Sequence, residues 1–97
     1  YSVREHLLRA GLCRLHSEDR IGSSRKIESY LGIDPSFGGS REFKLLTDLQ
    51  AAIEAQDVDA FTEAVQLFDR TNTLDDWKTK VLLALKNSII AQEDDLL

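Results

Sequence analysis

With 97 residues and a formal net charge of −5, the chain is long enough for one domain and too short for two of ordinary size. No stretch approaches the ~20 apolar residues of a membrane span, the first residues show no signal-peptide pattern, and the single cysteine, Cys13, cannot form an internal disulfide, so a cytoplasmic setting is expected. Because the sequence starts at Tyr1 and contains no Met, we expect a fragment of a longer chain that lacks an amino-terminal portion.

Helical periodicity runs along the whole chain, and no strand or hairpin pattern is found. The first helix is predicted to start near Ser2. Gly11 lies inside it and costs about 1 kcal/mol relative to Ala unless a neighbouring helix approaches closely there. Its expected buried face consists of Val3, Leu7, Leu8, Leu12 and Leu15.

The second helix is predicted over residues 19–31, where Ile21, Ile27, Tyr30 and Leu31 are the large apolar residues. Gly32 is expected to end it in the left-handed conformation, with Pro35 preventing a restart. The loop GIDPSFGG follows. We expect Ile33 and Phe37 to attach this loop to the core.

Three further helices follow the loop. Ser40 is expected to cap the third helix, either Asp57 or Asp59 the fourth, and Thr73 the fifth, with Asp76 in a capping-box position. The expected buried faces are Leu45, Leu46, Leu49, Ala52 and Ile53 in the third helix, Val58, Phe61, Val65 and Phe68 in the fourth, and Leu74, Trp77, Val81, Leu82, Leu85 and Ile89 in the fifth.

The apolar pattern of the fifth helix ends at about Ala91. We therefore predict a helical domain over residues 1–92, with about five helices, and an acidic tail over residues 93–97. Short turns predict antiparallel helical hairpins. The third and fourth helices together span about 32 residues, which is close to the repeat length of tetratricopeptide (TPR) solenoids, so an irregular helical-repeat array is expected.

The charge is divided unevenly along the chain. Residues 1–44 contain 8 Lys/Arg and 6 Asp/Glu, whereas residues 45–97 contain 4 Lys/Arg and 11 Asp/Glu. The second half argues against nucleic acid as the partner, because phosphates would repel it.

No catalytic or metal-binding pattern is found. His6 and His16 lie roughly 280° apart around a helix, so they do not converge on one ligand, and with Cys13 they match no zinc spacing. Both histidines are predicted at the surface. Cys13 is predicted to be a small core residue, and Trp77 a core residue with an exposed interface anchor as the alternative. We expect no enzymatic activity, cofactor or metal.

The segments SREFKLLTDL, AQDVDAFTEAVQLFD and LDDWKTKVLLALKNSIIAQEDDLL closely resemble the carboxy-terminal part of the soluble NSF-attachment proteins (SNAPs) of the alpha type. The likeness extends from about Leu8 to the last residue. Its most specific elements are Ser40-Arg41-Glu42, Asp69, Leu74-Asp75-x-Trp77 and the Glu-Asp-Asp-Leu ending. The resemblance implies an all-α fold in which antiparallel helical hairpins of a TPR-like solenoid end in a C-terminal helical bundle.

The resemblance also implies a function. SNAPs are adaptors without catalysis of their own, which bind SNARE complexes of syntaxin-type helices and recruit the hexameric AAA ATPase NSF. The ATPase then disassembles the complex, in vesicle fusion and intracellular protein transport. Such a protein is cytoplasmic and peripheral on membranes, and it touches the membrane only through the missing amino-terminal part.

The resemblance assigns the acidic ending of the chain to the ATPase. The implied ATPase-binding residues are Asp19, Glu54, Glu93, Asp94, Asp95 and Leu96, the last of which corresponds to a position that stimulates ATP hydrolysis. Arg41 corresponds to a basic residue that faces the SNARE complex. Neighbouring family acids fall on Ala51 and Ala55 here, which predicts a less charged patch.

Two alternatives compete with this interpretation. The first is a generic helical-repeat interaction module with an unrelated partner, in which QEDDLL is a frayed terminus. The second is a sorting signal of acidic residues before the leucine pair. Its two usual forms fail, because Gln92 stands four residues before Leu96 and Glu93 three residues before it.

Overall fold

The computed structural model describes residues 2–17 and 19–96, and the side chains of residues 3–17 and 19–92. These residues form helices and no strand, which confirms the all-α class. The helices are α1 (Ser2–Leu15), α2 (Arg20–Ile33), a 3-10 helix (Pro35–Gly39), α3 (Arg41–Ala55), α4 (Val58–Asp69) and α5 (Asp76–Leu96).

The helices pack around α1, which contacts α2, α3 and α5. The α3–α4 hairpin is the most closely packed pair, and α5 also contacts α4. One continuous core results, because each helix contributes one apolar face. Its buried members are Leu7, Leu8, Leu12, Leu15, Ile27, Tyr30, Phe37, Leu45, Leu46, Leu49, Ala52, Phe61, Ala64, Phe68, Leu82, Leu85 and Ile89.

Acidic or hydroxyl side chains cap the α-helices that follow α1. Asp19 Oδ1 accepts the Gly22 N–H in α2, and Ser40 Oγ accepts the Phe43 N–H in α3 at 3.1 Å, which confirms Ser40 as a cap. Asp57 rather than Asp59 caps α4, since its Oδ1 accepts the Ala60 N–H at 3.0 Å.

The predicted start of α5 at Thr73 is wrong. Asp75 Oδ1 accepts the Lys78 N–H at 2.8 Å, and α5 begins at Asp76. A carboxylate placed directly before the helix satisfies a free amide there, so the helix begins two residues later than Thr73 would dictate.

The predicted end of α2 at Gly32 is also wrong. No glycine in the described part of the chain has a positive φ, and α2 continues to Ile33. It ends because Asp34 precedes Pro35 and takes an extended conformation, with φ −142° and ψ 97°. Phe37 is fully buried as predicted, whereas Ile33 is 66% exposed and does not attach the loop to the core.

One large apolar residue near the start of α1 and one near the start of α2 are exposed. Val3 is 43% exposed and Ile21 is 70% exposed. Ile21 lies in the first turn of α2, beside the Asp19 cap, where it has no helix to pack against among the described core residues. Val3 was expected to be buried, and that prediction is wrong.

The turn between α3 and α4 is closed by Gln56, which has a left-handed conformation with φ 53°. Its N–H bonds to the carbonyl of Ile53, and the Asp57 N–H bonds to the carbonyl of Ala52 at 2.9 Å. This pair of hydrogen bonds is the Schellman arrangement that ends helices. It lets α4 start at once and fold back on α3.

The fifth helix continues to Leu96, past the predicted end at about Ala91. Residues 93–96 therefore have helical backbone.

Among the described helices, none combines the length and the apolar content needed to cross a membrane.

Candidate functional site

A groove of about 170 Å³ is lined by residues of α2, α3 and α5 and by the end of α1, and Glu54 lines it together with Gln92. Gln56 Nε2 donates to Gln92 Oε1 at 3.2 Å, which ties the end of α3 to the end of α5. Because Gln92 directly precedes Glu93 in α5, the helix end that continues into the acidic ending passes beside Glu54. We call this feature the α2–α3–α5 groove.

Asp19 lies at the edge of this groove. The next residue, Arg20, lines it, as does Ser23, whose Oγ donates to the Asp19 carbonyl at 2.8 Å. The Asp19 carboxylate also lies 3.9 Å from an Arg14 nitrogen. Its negative charge is thus shared between the cap of α2 and an exposed ion pair.

The side chains of Glu93, Asp94, Asp95 and Leu96 lie outside the described residues, although their backbone belongs to α5. For these four predicted site residues, only the helical backbone is described.

A second groove lies between α3 and α4, and Ala51 and Ala55 line it as exposed residues. Three acids line the same groove, namely Asp48, Asp57 and Glu63. Asp48 is paired with Lys44 at 2.8 Å. Sequence reasoning missed this acidic surface, because it compared single positions and these acids come from two helices that only the hairpin turn brings together.

Arg41 is exposed and lies on a different part of the molecule. It lines a cavity of about 740 Å³ between the start of α1, the start of α3 and the α4–α5 connection. Arg4, His6 and Lys78 line the same cavity. We call it the α1–α3 cavity. The α1–α3 cavity and the α2–α3–α5 groove share no described lining residue, so Arg41 lies apart from the acidic candidates.

Lys78 is buried, with 8% of its side chain exposed, and sequence reasoning missed it as a member of an ion-pair network. Its Nζ lies 2.5 Å from Glu5 Oε1 and 3.4 Å from Asp75 Oδ2. Arg9 contacts the same two carboxylates and lies 5.7 Å from the ring centroid of Trp77. The network joins α1 to the start of α5.

The ionisation of the two acids reflects this network. Burial raises the pKa of Glu5, but hydrogen bonds and charges from Lys78 and Arg9 outweigh it, so the pKa of Glu5 lies below its ordinary value. The pKa of Asp75 is lowered chiefly by the backbone N–H of Lys78, and further by the charges of Lys78 and Arg9.

Two predicted core residues are instead exposed. Trp77 is 39% exposed, and one face of its ring is covered by Arg9 rather than by the core. Cys13 is exposed as well, because it points away from the α1 face formed by Leu8, Leu12 and Leu15. His6 and His16 lie at the surface, as predicted. Within the described residues, no group of His, Cys, Asp or Glu could hold a metal ion.

Comparisons with known proteins agree with the helical architecture. The family model of the soluble NSF attachment proteins (SNAPs) matches residues 1–90. No solved structure matches the chain.

Several curated proteins are similar to this chain over nearly its whole length. The "Probable vesicular-fusion protein sec17 homolog" of Schizosaccharomyces pombe is 48% identical, over 99% of this chain and 33% of its own length. The "Alpha-soluble NSF attachment protein" of Vitis vinifera is 46% identical, over 99% and 34%, and that of Homo sapiens is 36% identical, over 99% and 32%. The chain thus spans about a third of the length of these relatives.

Proposed function

We propose a function for this chain, which belongs to the soluble NSF attachment protein (SNAP) family. It is part of a cytoplasmic adaptor that is peripheral on membranes, and this part docks on an NSF-type hexameric ATPase. In this role the adaptor links the ATPase to SNARE complexes and stimulates SNARE disassembly, in vesicle fusion and intracellular protein transport. Its relatives are named for NSF attachment or vesicular fusion. Membrane contact, and most of the SNARE contact, are assigned to the two thirds of those relatives that this chain does not match.

The observation that carries the proposal is the α2–α3–α5 groove. Glu54 lines it beside Gln92, the residue before Glu93, and Asp19 lies at its edge next to Arg20. Glu54, the residue after Asp19 and the residue before Glu93 come from three separate parts of the sequence and line one groove, which supports docking on this side. A basic domain docked on this side would meet acids from all three parts at once.

The magnitudes suit an adaptor that must release its partner in each cycle. An exposed ion pair contributes roughly 0–1 kcal/mol, so the five acids at this site support only weak binding. The contact would be sensitive to salt, because charges more than ~8 Å apart are largely screened at physiological ionic strength. Several adaptors around one SNARE complex would strengthen it through effective concentration.

The test is a titration of this chain against the isolated amino-terminal domain of the ATPase, at low and at moderate salt. Glu54→Gln removes one charge of the groove, and Asp19→Asn removes another while keeping a side chain that can cap α2. A triple variant, Glu93→Gln with Asp94→Asn and Asp95→Asn, removes three. We expect each variant to weaken binding and the triple variant to flatten the salt dependence most.

The neutral substitutions are preferable to a chain that ends at Ala91, since truncation would also remove the last turn of α5. Glu28→Gln is the matched control, because Glu28 is an exposed acid of α2 that does not line the groove. If Glu28→Gln weakened binding as much as Glu54→Gln, the contact would be a general charge effect. The generic interaction module would then be the better interpretation.

Leu96 is proposed to act after docking. Leu96→Ala keeps all five acids, so we expect it to bind the ATPase domain as tightly as the unchanged chain. In an ATPase assay with the full hexamer, in the context of the complete adaptor, we expect it to lower the stimulated rate. A parallel loss of binding would show that Leu96 contributes to docking instead.

Arg41 is proposed to face the SNARE complex, since it is exposed and lies away from the groove. Arg41→Gln should weaken SNARE binding of the complete adaptor and leave binding of the ATPase domain unchanged. We expect the 97-residue chain to bind the ATPase domain far better than SNARE complexes, because one exposed cation supports little affinity.

A further inference from the structure

The α1–α3 cavity has the size of a small-molecule site and a lining that is mostly charged and polar. Its volume of about 740 Å³ falls within the ~300–1,000 Å³ of pockets that bind such ligands. The walls come from α1, from the start of α3 and from the connection between α4 and α5, so three parts of the chain meet around it.

Besides His6, the charged residues that line this cavity are three cations, Arg4, Arg41 and Lys78, and two acids, Glu5 and Glu42. Lys78 already faces Glu5 and Asp75. Arg4 uses one guanidinium nitrogen for Ser36, at 3.3 Å, and a guanidinium has five N–H donors. Arg4 and Arg41 therefore remain as the two cations with donors to spare, one on each side of the cavity.

The remaining lining indicates what kind of anion fits. Glu42, Asn72 and Thr73 provide carboxylate, amide and hydroxyl groups that can hydrogen-bond to alcohols. Phe68 and the imidazole of His6 are the aromatic rings among the lining residues described, and the rest of that lining is polar or charged, which favours phosphates and hydroxyl groups over a flat ring. A ligand with phosphates for the two arginines and hydroxyl groups for the acid and amide satisfies both sets.

We propose that the α1–α3 cavity binds a phosphorylated polyol, of the inositol phosphate type. Arg4 and Arg41 hold its phosphates through charge-assisted hydrogen bonds, which are the strong ones in such sites. Glu42 accepts hydrogen bonds from its ring hydroxyls, and Asn72 can accept from or donate to them. Arg41 lines the cavity and also belongs to the proposed SNARE contact. Ligand binding does not depend on the SNARE contact, because it is argued from the residues that line the cavity.

The test is a calorimetric titration of the 97-residue chain with inositol trisphosphate at physiological salt. We expect saturable binding that weakens about tenfold in Arg4→Gln and in Arg41→Gln, the loss of one hydrogen bond to a charged group. Arg70→Gln is the matched control, since Arg70 is exposed at the end of α4 and does not line the cavity. Equal weakening in all three variants, or no binding, would overturn the proposal.

Two further arms separate the possible forms of the ligand. Tripolyphosphate has comparable charge and no hydroxyl groups, so binding as tight as that of inositol trisphosphate would overturn the assignment of a polyol. Phosphatidylcholine vesicles with and without a phosphatidylinositol bisphosphate distinguish a lipid headgroup from a free ligand. Binding of those vesicles that inositol trisphosphate competes away assigns the headgroup, whereas binding of the soluble compound alone assigns a free ligand. We expect Arg4→Gln to weaken ligand binding and to leave ATPase docking unchanged. This outcome would show that ligand binding and the proposed adaptor function are independent.

Discussion

Gly11 of α1 lies directly against Leu46 of α3. A Cβ atom placed on Gly11 would be 2.5 Å from Cδ1 and 2.8 Å from Cδ2 of the Leu46 side chain. Leu46 is fully buried, so it has little freedom to move aside. A glycine in the middle of a helix is therefore explained here by the close approach of two helices.

Gly11→Ala should destabilise the protein by about 1–3 kcal/mol, because it overpacks the contact with Leu46. Helix propensity alone predicts the opposite sign, a gain of about 1 kcal/mol. Urea unfolding followed by circular dichroism measures the difference. Gly32→Ala is the control, since no atom lies within 4 Å of its Cβ position, and it should stabilise α2 by up to about 1 kcal/mol. Stabilisation by both substitutions would contradict the packing argument.

Phe37 should be the residue that attaches the 3-10 helix to the core. It is fully buried, and its ring makes edge contacts with Tyr30 at 6.4 Å and with Phe43 at 5.6 Å between centroids. Phe37→Ala is expected to lower the free energy of unfolding by about 3–5 kcal/mol. Ile33→Ala, at an exposed position of the same connection, should change it by less than about 0.5 kcal/mol. Comparable losses would show that both residues support the loop.

Asp57 and Asp59 make a paired test of the cap of α4. Asp57→Ala removes the acceptor of the Ala60 N–H and should cost about 1 kcal/mol. Asp59→Ala removes only an acid in the first turn, whose interaction with the helix dipole is worth about 0.3–1 kcal/mol. Thermal unfolding of the two variants side by side ranks them. A larger effect of Asp59→Ala would contradict the described cap.

The network around Lys78 predicts a dependence of stability on pH. The pKa values of Glu5 and Asp75 are both below their ordinary values in the folded protein. Their contribution is therefore complete above the unfolded values of roughly 4.3 and 3.9, and it is lost as the pH falls through the lowered folded values. Urea midpoints measured from about pH 6 to pH 3 should fall along this course.

Lys78→Met tests which charge is responsible. It keeps the buried stem and removes the ammonium, so the folded pKa of Glu5 should rise towards its unfolded value. The pKa of Asp75 should rise less, because the backbone N–H of residue 78, its chief cause, remains. The loss of stability on acidification should then be smaller than in the unchanged protein. Lys80→Met, at an exposed position of α5, should leave the acid dependence unaltered. Identical acid curves for both variants would exclude Lys78 as the cause.

The candidate site residues stay a prediction. Asp19, Glu54 and the acidic ending were assigned through the resemblance to SNAPs, since acids at three separate places in a sequence have no period that would join them. The position of Glu54 in one groove with Arg20 and Gln92 depends on how the helices around it pack. The acids Asp57 and Glu63 beside Ala51 and Ala55 were missed for the same reason.

The sequence by itself determined the helices and most of their buried faces. Apolar residues at spacings of three and four, with Ser40 as a cap, specify local structure through hydrogen bonds between near neighbours in the chain. Leu8, Leu12, Leu46 and Leu49 were predicted to be buried, and they are.

Tertiary structure alone decided the residues at the edges of those faces. Trp77 continues the apolar pattern of α5 yet lies under Arg9 at the surface, whereas Lys78, a charged residue, is buried between Glu5 and Asp75. Whether a side chain at the margin of a helix face meets the core, a charge or water depends on the neighbouring helix. That neighbour is distant in sequence, because α1 and α5 stand at opposite ends of the chain.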